Sequence, residues 1–366
     1  MQFSNVTFAK ICIVRKYVVI LHQIHVKFHL FIVTIMKYKV YISLFMAFVC
    51  SIVANAQGPN NSENYYWNAD GKKGSSLKTS LCNIISAGYD QQTYDQVWDA
   101  YETTDIKPDG IHVYDIYSNI SNFVYGTDQA GNYQKEGDVY NREHTFPKSW
   151  FGGKKYPMYS DLFHVMPSDG YVNSMRGSYP YGETDANAYD KNNYKSANGY
   201  SKKGYCKTPG YTGVVFEPND EYKGDLARNY FYMATRYENQ ITSWSSPVLT
   251  NSSYKPYVQW HLDMLMRWSR EDPVSEKEIL RNTEVYKIQK NRNPFIDYPG
   301  LEEYIWGSKV NVAFSYDNYE STNAIIQVED TESSTHDNAI YDLQGRRVQY
   351  PTRGIYIRNG KKIFIK

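Results

Sequence analysis

The sequence predicts an α+β fold, and three observations carry that prediction. Apolar residues recur at three- and four-residue steps in several separate segments, which is the period of a buried helix face. Strand-like alternation occurs between them in short runs only. The last residues, 337–366, read as a small β unit in which Ile355-Tyr356-Ile357 and Ile363-Phe364-Ile365 flank Asn359-Gly360, a hairpin signal.

The elements follow in order. Thr79 to Tyr101 reads as a helix, with Leu81, Ile84, Ile85 and then Tyr94, Val97, Trp98 and Tyr101 in step. Ile111 to Tyr117 alternates as a strand. Residues 138–180 are dense in Gly, Pro, Ser, Asn and charge. Lys223 to Tyr237 reads as a buried helix, His261 to Arg270 as another, and Pro273 restarts a helix that runs to about Lys290. Residues 316–338 are rich in Ser, Thr, Asn, Asp and Glu, the composition of a linker.

The chain has 366 residues, room for two domains at roughly 150 residues each. It carries 40 Lys+Arg and 39 Asp+Glu, which excludes a histone-like basic binder and an acidic disordered tail. Its 37 tyrosines stand out, and a tyrosine-rich surface is common outside the cell. The first 56 residues hold six basic residues and no acidic one; without them the net charge is −5. Lys37 and Lys39 precede an uncharged apolar run, Val40 to Val53, and Ala54-Asn55-Ala56 is a small-x-small cleavage pattern. We expect Met36 to start an export signal, the mature chain to begin at Gln57, and no stable membrane span to remain. Export implies a secreted, periplasmic or cell-surface protein. Cys82 and Cys206 then remain, able to form one disulfide or to stay as two thiols.

Chemistry concentrates in two segments. One is Asn141-Arg142-Glu143-His144 with Pro147-Lys148-Ser149; the other runs from Asp161-Leu162-Phe163-His164 through Pro167, Asp169-Gly170 and Val172-Asn173-Ser174 to Arg176-Gly177. A hard cation prefers oxygen ligands, which Glu143 and the Asn173 side chain supply. A neutral imidazole can take a proton from water at neutral pH. Arg142 or Arg176 can clamp phosphate oxygens in a planar fork. Taken singly, each residue has a bland reading: Asp169-Gly170 is a turn, Asp161 caps a helix, and Asn173 sits in a loop. The cluster carries the inference. Lys191, Lys195, Lys202, Lys203 and Lys207 interleave with Tyr189, Tyr194, Tyr200 and Tyr205, as a stacking surface for single strands requires, and Lys148, Lys154 and Lys155 add the same sign.

Together these motifs resemble the bacterial extracellular endonuclease I family, of the His-Me or ββα-metal finger class. The resemblance continues in Lys223-Gly224-Asp225-Leu226-Ala227-Arg228, in Arg270-Glu271-Asp272-Pro273-Val274 and in Asn291-Arg292-Asn293-Pro294-Phe295, and it covers residues 80–306. It implies a ββα-metal finger core surrounded by helices, and a monomeric, non-specific endonuclease that hydrolyses DNA and RNA to 5′-phosphate products. It also implies one Mg²⁺, with Ca²⁺ or Mn²⁺ able to take its place. On that pattern His144 is the general base, Glu143 and Asn173 hold the metal, and the transition-state arginine is assigned to Arg176. Arg142, Lys148, Lys202 and Lys203 are expected to bind nucleic acid. The family's two adjacent histidines are Phe163 and His164 here, which weakens any role for His164. The expected organisation is a leader over 1–56, an endonuclease domain over 57–312, a polar linker over 313–336 and a β tail over 337–366. That tail resembles the sorting units of type IX secretion substrates. Two alternatives are a zinc hydrolase built on His144 and His164, and an inactive surface-binding protein.

Overall fold

The structure, a computed structural model, describes residues 65–129, 132–185, 192–197, 200–316 and 319, and four strands after residue 339. The leader lies outside the described residues. Two units separate at Thr322/Asn323.

The first unit is α+β. Helix α1 (Gly74–Ser86) and helix α2 (Gln96–Thr104) occupy the stretch read as one helix. The break has a local cause. Gly88 adopts φ +66°, and Thr93 and Gln96 then exchange backbone-to-side-chain hydrogen bonds that open the second helix. Strands β1 (His112–Asp115) and β2 (Ser118–Val124) form an antiparallel pair. Strands β3 (Tyr140–His144) and β4 (Val165–Asp169) form another, with Glu143 opposite Met166 and His144 opposite Val165. Helix α3 (Gly170–Arg176) follows β4 directly, completing a ββα unit. Asp169 and Gly170 are the start of α3 rather than a free turn: the Asp169 carboxylate accepts from the amides of Tyr171 and Val172. Gly170 is required there, because a Cβ would stand 2.8 Å from the Tyr133 ring. Asn173, read as a loop residue, is on this helix.

Strands β5 (Tyr194–Lys195), β6 (Lys202–Tyr205) and β7 (Val214–Glu217) make a small antiparallel sheet. Helix α4 (Lys223–Arg236) is buried almost all round and packs on α1 and on α5 (Gln259–Glu271). Its buried Arg228 is matched by both carboxylate oxygens of Glu278, at 2.6 and 2.7 Å, so the charge is not left unpaired. Helix α6 (Glu276–Gln289) begins at a capping box between Ser275 and Glu278, after the expected Pro273 break. Two short helices, α7 (Pro294–Asp297) and α8 (Leu301–Ile305), close the core.

Tyrosine is largely an interior residue here, not the surface residue its abundance suggested. Tyr66, Tyr101, Tyr117, Tyr140, Tyr181, Tyr230 and Tyr232 are fully buried. Several of the buried hydroxyls find partners, though that of Tyr101 finds none among the described residues: Tyr66 donates to Asp297, Tyr230 to the Thr145 carbonyl, and Tyr232 and Tyr237 to Asp161. The Asp161 carboxylate also accepts from Gln289 of α6 and from the Phe163 amide, and no α-helix starts at it.

The packed unit also continues past residue 312. Phe314 and Tyr316 are buried. The Phe314 amide donates to the Lys72 carbonyl at 2.7 Å, and its carbonyl accepts from Gly71 at 2.8 Å. Cys82 and Cys206 are both free thiols. In the second unit, β8 (Ile340–Tyr341), β9 (Arg347–Val348), β10 (Gly354–Arg358) and β11 (Lys361–Ile365) form one antiparallel sheet. Arg358 pairs with Lys361, the register that the Asn359-Gly360 signal predicts. Among the described residues no helix is long and apolar enough to cross a membrane.

Candidate active site

The end of β3 opens onto a cavity of about 380 Å³. Asn141, Arg142, Glu143 and His144 line it from the strand, Pro147 and Lys148 from the turn that follows, and Asn173, Ser174 and Arg176 from α3. Adjacent strand residues point to opposite faces, so both reach one space only where the strand stops. Pairing with β4 ends at His144, which meets that condition.

Glu143 is buried, and its carboxylate is held on one side. Oε1 accepts from the Tyr117 hydroxyl at 2.6 Å and from Nη1 of Arg176 at 2.5 Å. Both side-chain donors land on the same oxygen, so Oε2 carries neither. Burial raises the carboxyl pKa above its ordinary value, and the Arg176 charge and the Tyr117 hydrogen bond offset part of that rise. Arg176 is only 1% exposed. Besides Glu143 it donates to the carbonyls of His144 (2.8 Å) and Thr145 (2.7 Å). It borders the cavity, but both terminal nitrogens are committed to holding the end of β3.

His144 donates from Nε2 to the Tyr159 carbonyl at 3.0 Å and stacks on the Tyr159 ring, 5.3 Å between centroids. Burial holds its pKa well below the usual imidazole value, and nearby His164 lowers it further. The ring is therefore neutral at pH 7, with the Nδ1 lone pair available. Asn173 donates from Nδ2 to Oδ1 of Asn141 at 2.6 Å, which turns its carbonyl oxygen away from that bond. A carboxylate oxygen and an amide carbonyl are hard donors and fit an Mg²⁺-type cation.

The other expected residues divide. Arg142 and Lys148 line the cavity. Lys202 does not: it pairs with Glu217 at 3.2 Å. Lys203 lies over the Tyr179 ring, 5.4 Å from its centroid, and Lys207 faces Asp185. Lys191 and Tyr189 lie outside the described residues. His164 is fully buried behind the site. Its Nε2 donates to the Met158 carbonyl at 2.6 Å, and burial depresses its pKa to about 4. Each histidine thus has its Nε2 on a main-chain carbonyl. Among the described residues no three His, Cys, Asp or Glu groups are placed to hold a metal. Tyr94, Trp98, Tyr117 and Tyr159 were read from sequence as core or not at all, yet each touches a site residue.

A family model described as Endonuclease I matches residues 73–300, spanning the whole cavity and the helices behind it. The chain belongs to the endonuclease I family. It is a nuclease. An extracellular ribonuclease of Bacillus amyloliquefaciens is 37% identical over 67% of this chain and 79% of its own length. An extracellular ribonuclease of Bacillus subtilis (strain 168) is 36% identical over 70% of this chain and 83% of its own. Endonuclease-1 of Buchnera aphidicola subsp. Acyrthosiphon pisum is 26% identical, over 39% of this chain and 47% of its own.

Proposed function

We propose that this nuclease is an exported, metal-dependent endonuclease that hydrolyses phosphodiester bonds of RNA and DNA without sequence preference. One observation carries the reading. At this end of β3 three side chains are each held through one atom and leave a second atom open to the cavity. Glu143 keeps Oε2, His144 keeps Nδ1 and Asn173 keeps its carbonyl oxygen, all on residues lining one cavity.

In this reading His144 Nδ1 takes a proton from water. The oxygen so activated attacks phosphorus in line, the bond from phosphorus to the 3′-oxygen breaks, and the products are a 5′-phosphate and a 3′-hydroxyl. Glu143 and Asn173 hold the metal, read as Mg²⁺ from the hard oxygen donors. When bound, the ion neutralises charge on the phosphate and on the departing oxygen. Tyr117 and Arg176 keep the Glu143 carboxylate turned correctly. Lys148 meets the nucleic-acid backbone. The Bacillus ribonucleases' printed names support both export and RNA as a substrate, and the small-x-small pattern at Ala56 supports the first. The β unit over 337–366 is read as a sorting signal.

The test is direct. The purified protein is incubated with plasmid DNA and with a structured RNA, with Mg²⁺ and with EDTA. Cleavage of both with Mg²⁺, and of neither with EDTA, is expected. Undiminished cleavage in EDTA would refute the metal, and no cleavage by the wild-type protein would refute the endonuclease reading.

A further inference from the structure

Phosphoryl transfer needs a cation on the non-bridging oxygens as charge builds there. Arg176 is poorly placed for it, since Nη1 and Nη2 are held by Glu143 and two main-chain carbonyls. A second guanidinium borders the same cavity. Arg142 leaves β3 two residues before His144, on the same strand face. Its guanidinium carbon lies 3.5 Å from the centroid of the Tyr94 ring and 4.5 Å from that of Trp98. Nη1 donates to the Tyr94 carbonyl and approaches Asp95 Oδ1 at 3.4 Å. Nε and Nη2 donate to no protein group among the described residues.

That arrangement is unusual for a surface arginine. A long side chain normally loses considerable rotamer freedom when it binds an anion. Here two aromatic rings and a carbonyl already fix the plane, and one edge of the fork remains unused. The same Tyr94 ring stacks on Tyr159 at 4.2 Å, and Tyr159 supplies the carbonyl that orients His144. One aromatic stack therefore positions both the base and the arginine.

We propose that Tyr94 and Trp98 are positioning residues that hold Arg142 as the fork on the scissile phosphate. Arg142 is then the catalytic cation of the reaction, and Arg176 serves Glu143 from behind. The inference rests on the endonuclease reading and deepens it. Arg142 donates from Nε and Nη2 to the non-bridging oxygens, and the interaction strengthens as negative charge accumulates on them. Lysine cannot replace it, because a point charge neither forks nor stacks between two rings.

The experiment measures kcat and KM on a fluorescent single-stranded oligodeoxynucleotide with Mg²⁺ for wild type, Arg142→Lys, Arg142→Met, Trp98→Phe, Trp98→Leu, Tyr94→Leu and the double variant Arg142→Met/Trp98→Leu. His144→Ala is the inactive control, and thermal melts report folding. Removing one transition-state donor typically costs about 10²–10³ in kcat. We expect that loss for Arg142→Met and for Arg142→Lys, with KM changed little. Trp98→Phe, which keeps an aromatic face, should stay near wild type. Trp98→Leu and Tyr94→Leu should each lose roughly tenfold in kcat, and Trp98→Leu should cost nothing further once Arg142 is Met. Near-normal kcat in Arg142→Met would overturn the proposal. So would an equal cost of Trp98→Leu in both arginine backgrounds, which would mark Trp98 as merely structural. If wild type is as inactive as His144→Ala, the endonuclease reading itself fails, and this inference fails with it. If wild type cuts and the Arg142 and Trp98 variants cut equally well, only this inference fails.

Discussion

The Nε2 of His144 donates to the main-chain carbonyl of Tyr159, and this one bond fixes which nitrogen can act. Nδ1 is left as the acceptor on a ring whose burial keeps it neutral well below pH 6.5. His144→Ala should therefore lower turnover by roughly 10²–10⁴ while leaving Mg²⁺ affinity unchanged. Isothermal calorimetry with Mg²⁺ alongside initial rates checks this; a lost Mg²⁺ signal would make His144 a ligand instead of a base.

Tyr117→Phe should shift the pH dependence of metal binding. Glu143 already has a raised pKa, and its Tyr117 hydrogen bond pulls that value down. Removing the hydroxyl raises the pKa further. Mg²⁺ affinity requires the ionised form, so the pH at which affinity is half lost on acidification should move upward. Titrations from pH 8 to pH 5 read the midpoint, and an unmoved midpoint would deny the bond any part in tuning the carboxylate.

Arg176→Met leaves a buried carboxylate without its partner. Breaking one side of a buried pair typically costs about 3–5 kcal/mol, and here two main-chain carbonyls lose a donor as well. A large drop in urea midpoint is expected, together with loss of activity. A stable but inactive variant would point to direct contact with substrate.

Lys148 and Lys202 should separate in salt titrations. Lys148 lines the cavity, whereas Lys202 faces Glu217. Lys148→Ala should flatten the log–log salt dependence of duplex binding by roughly 0.9. Lys202→Ala should leave the slope alone. Equal slopes for both variants would mean that the path of the nucleic acid crosses β6.

His261 should make the fold acid-sensitive. It is fully buried against Tyr230, Tyr257 and Trp260, and burial pushes its pKa down to about 3. The unfolded chain takes up that proton near pH 6.5, so this stability is complete above pH 6.5 and is lost as pH falls toward 3. The slope is about 1.4 kcal/mol per pH unit for one proton. His261→Phe should flatten the decline by that amount, read from urea midpoints between pH 7 and pH 4. An unchanged slope would mean that the acid loss comes from other groups.

Much of the molecule was legible in the sequence because the local rules agreed with the tertiary outcome. Lys223 to Tyr237 reads as a buried helix and is one, its charges paired where they are buried. The Glu143-His144 pair sits at the end of a strand, with Pro147 shortly after it, where a missing amide N–H ends sheet pairing. What failed was long-range. Nothing local to Tyr117 shows that its hydroxyl reaches Glu143, because β1, β2 and β3 must first assemble. Lys202 read as a free charge, since its partner Glu217 becomes its neighbour only through strand register. Asp161 looked like a helix cap because its donors, Tyr232 on α4 and Tyr237 just after it, lie far along the chain. Composition misled for tyrosine, because an amphipathic ring is at home inside where its hydroxyl reaches a carbonyl or carboxylate, as those of Tyr66, Tyr230 and Tyr232 do.

Phe314 is hydrogen-bonded through its backbone to Lys72 and Gly71, and the Tyr316 amide to Asp70, so the nuclease unit is a loop of chain whose two ends are knotted together. Entry and exit lie side by side. Tension applied through the two ends therefore loads that knot before it reaches β3. A tether, a surface anchor or a fusion partner at either end can pull without distorting the residues around Glu143. The same geometry suits the unit to circular permutation: joining Tyr316 to Tyr65 and reopening an exposed loop would preserve the knot as continuous backbone.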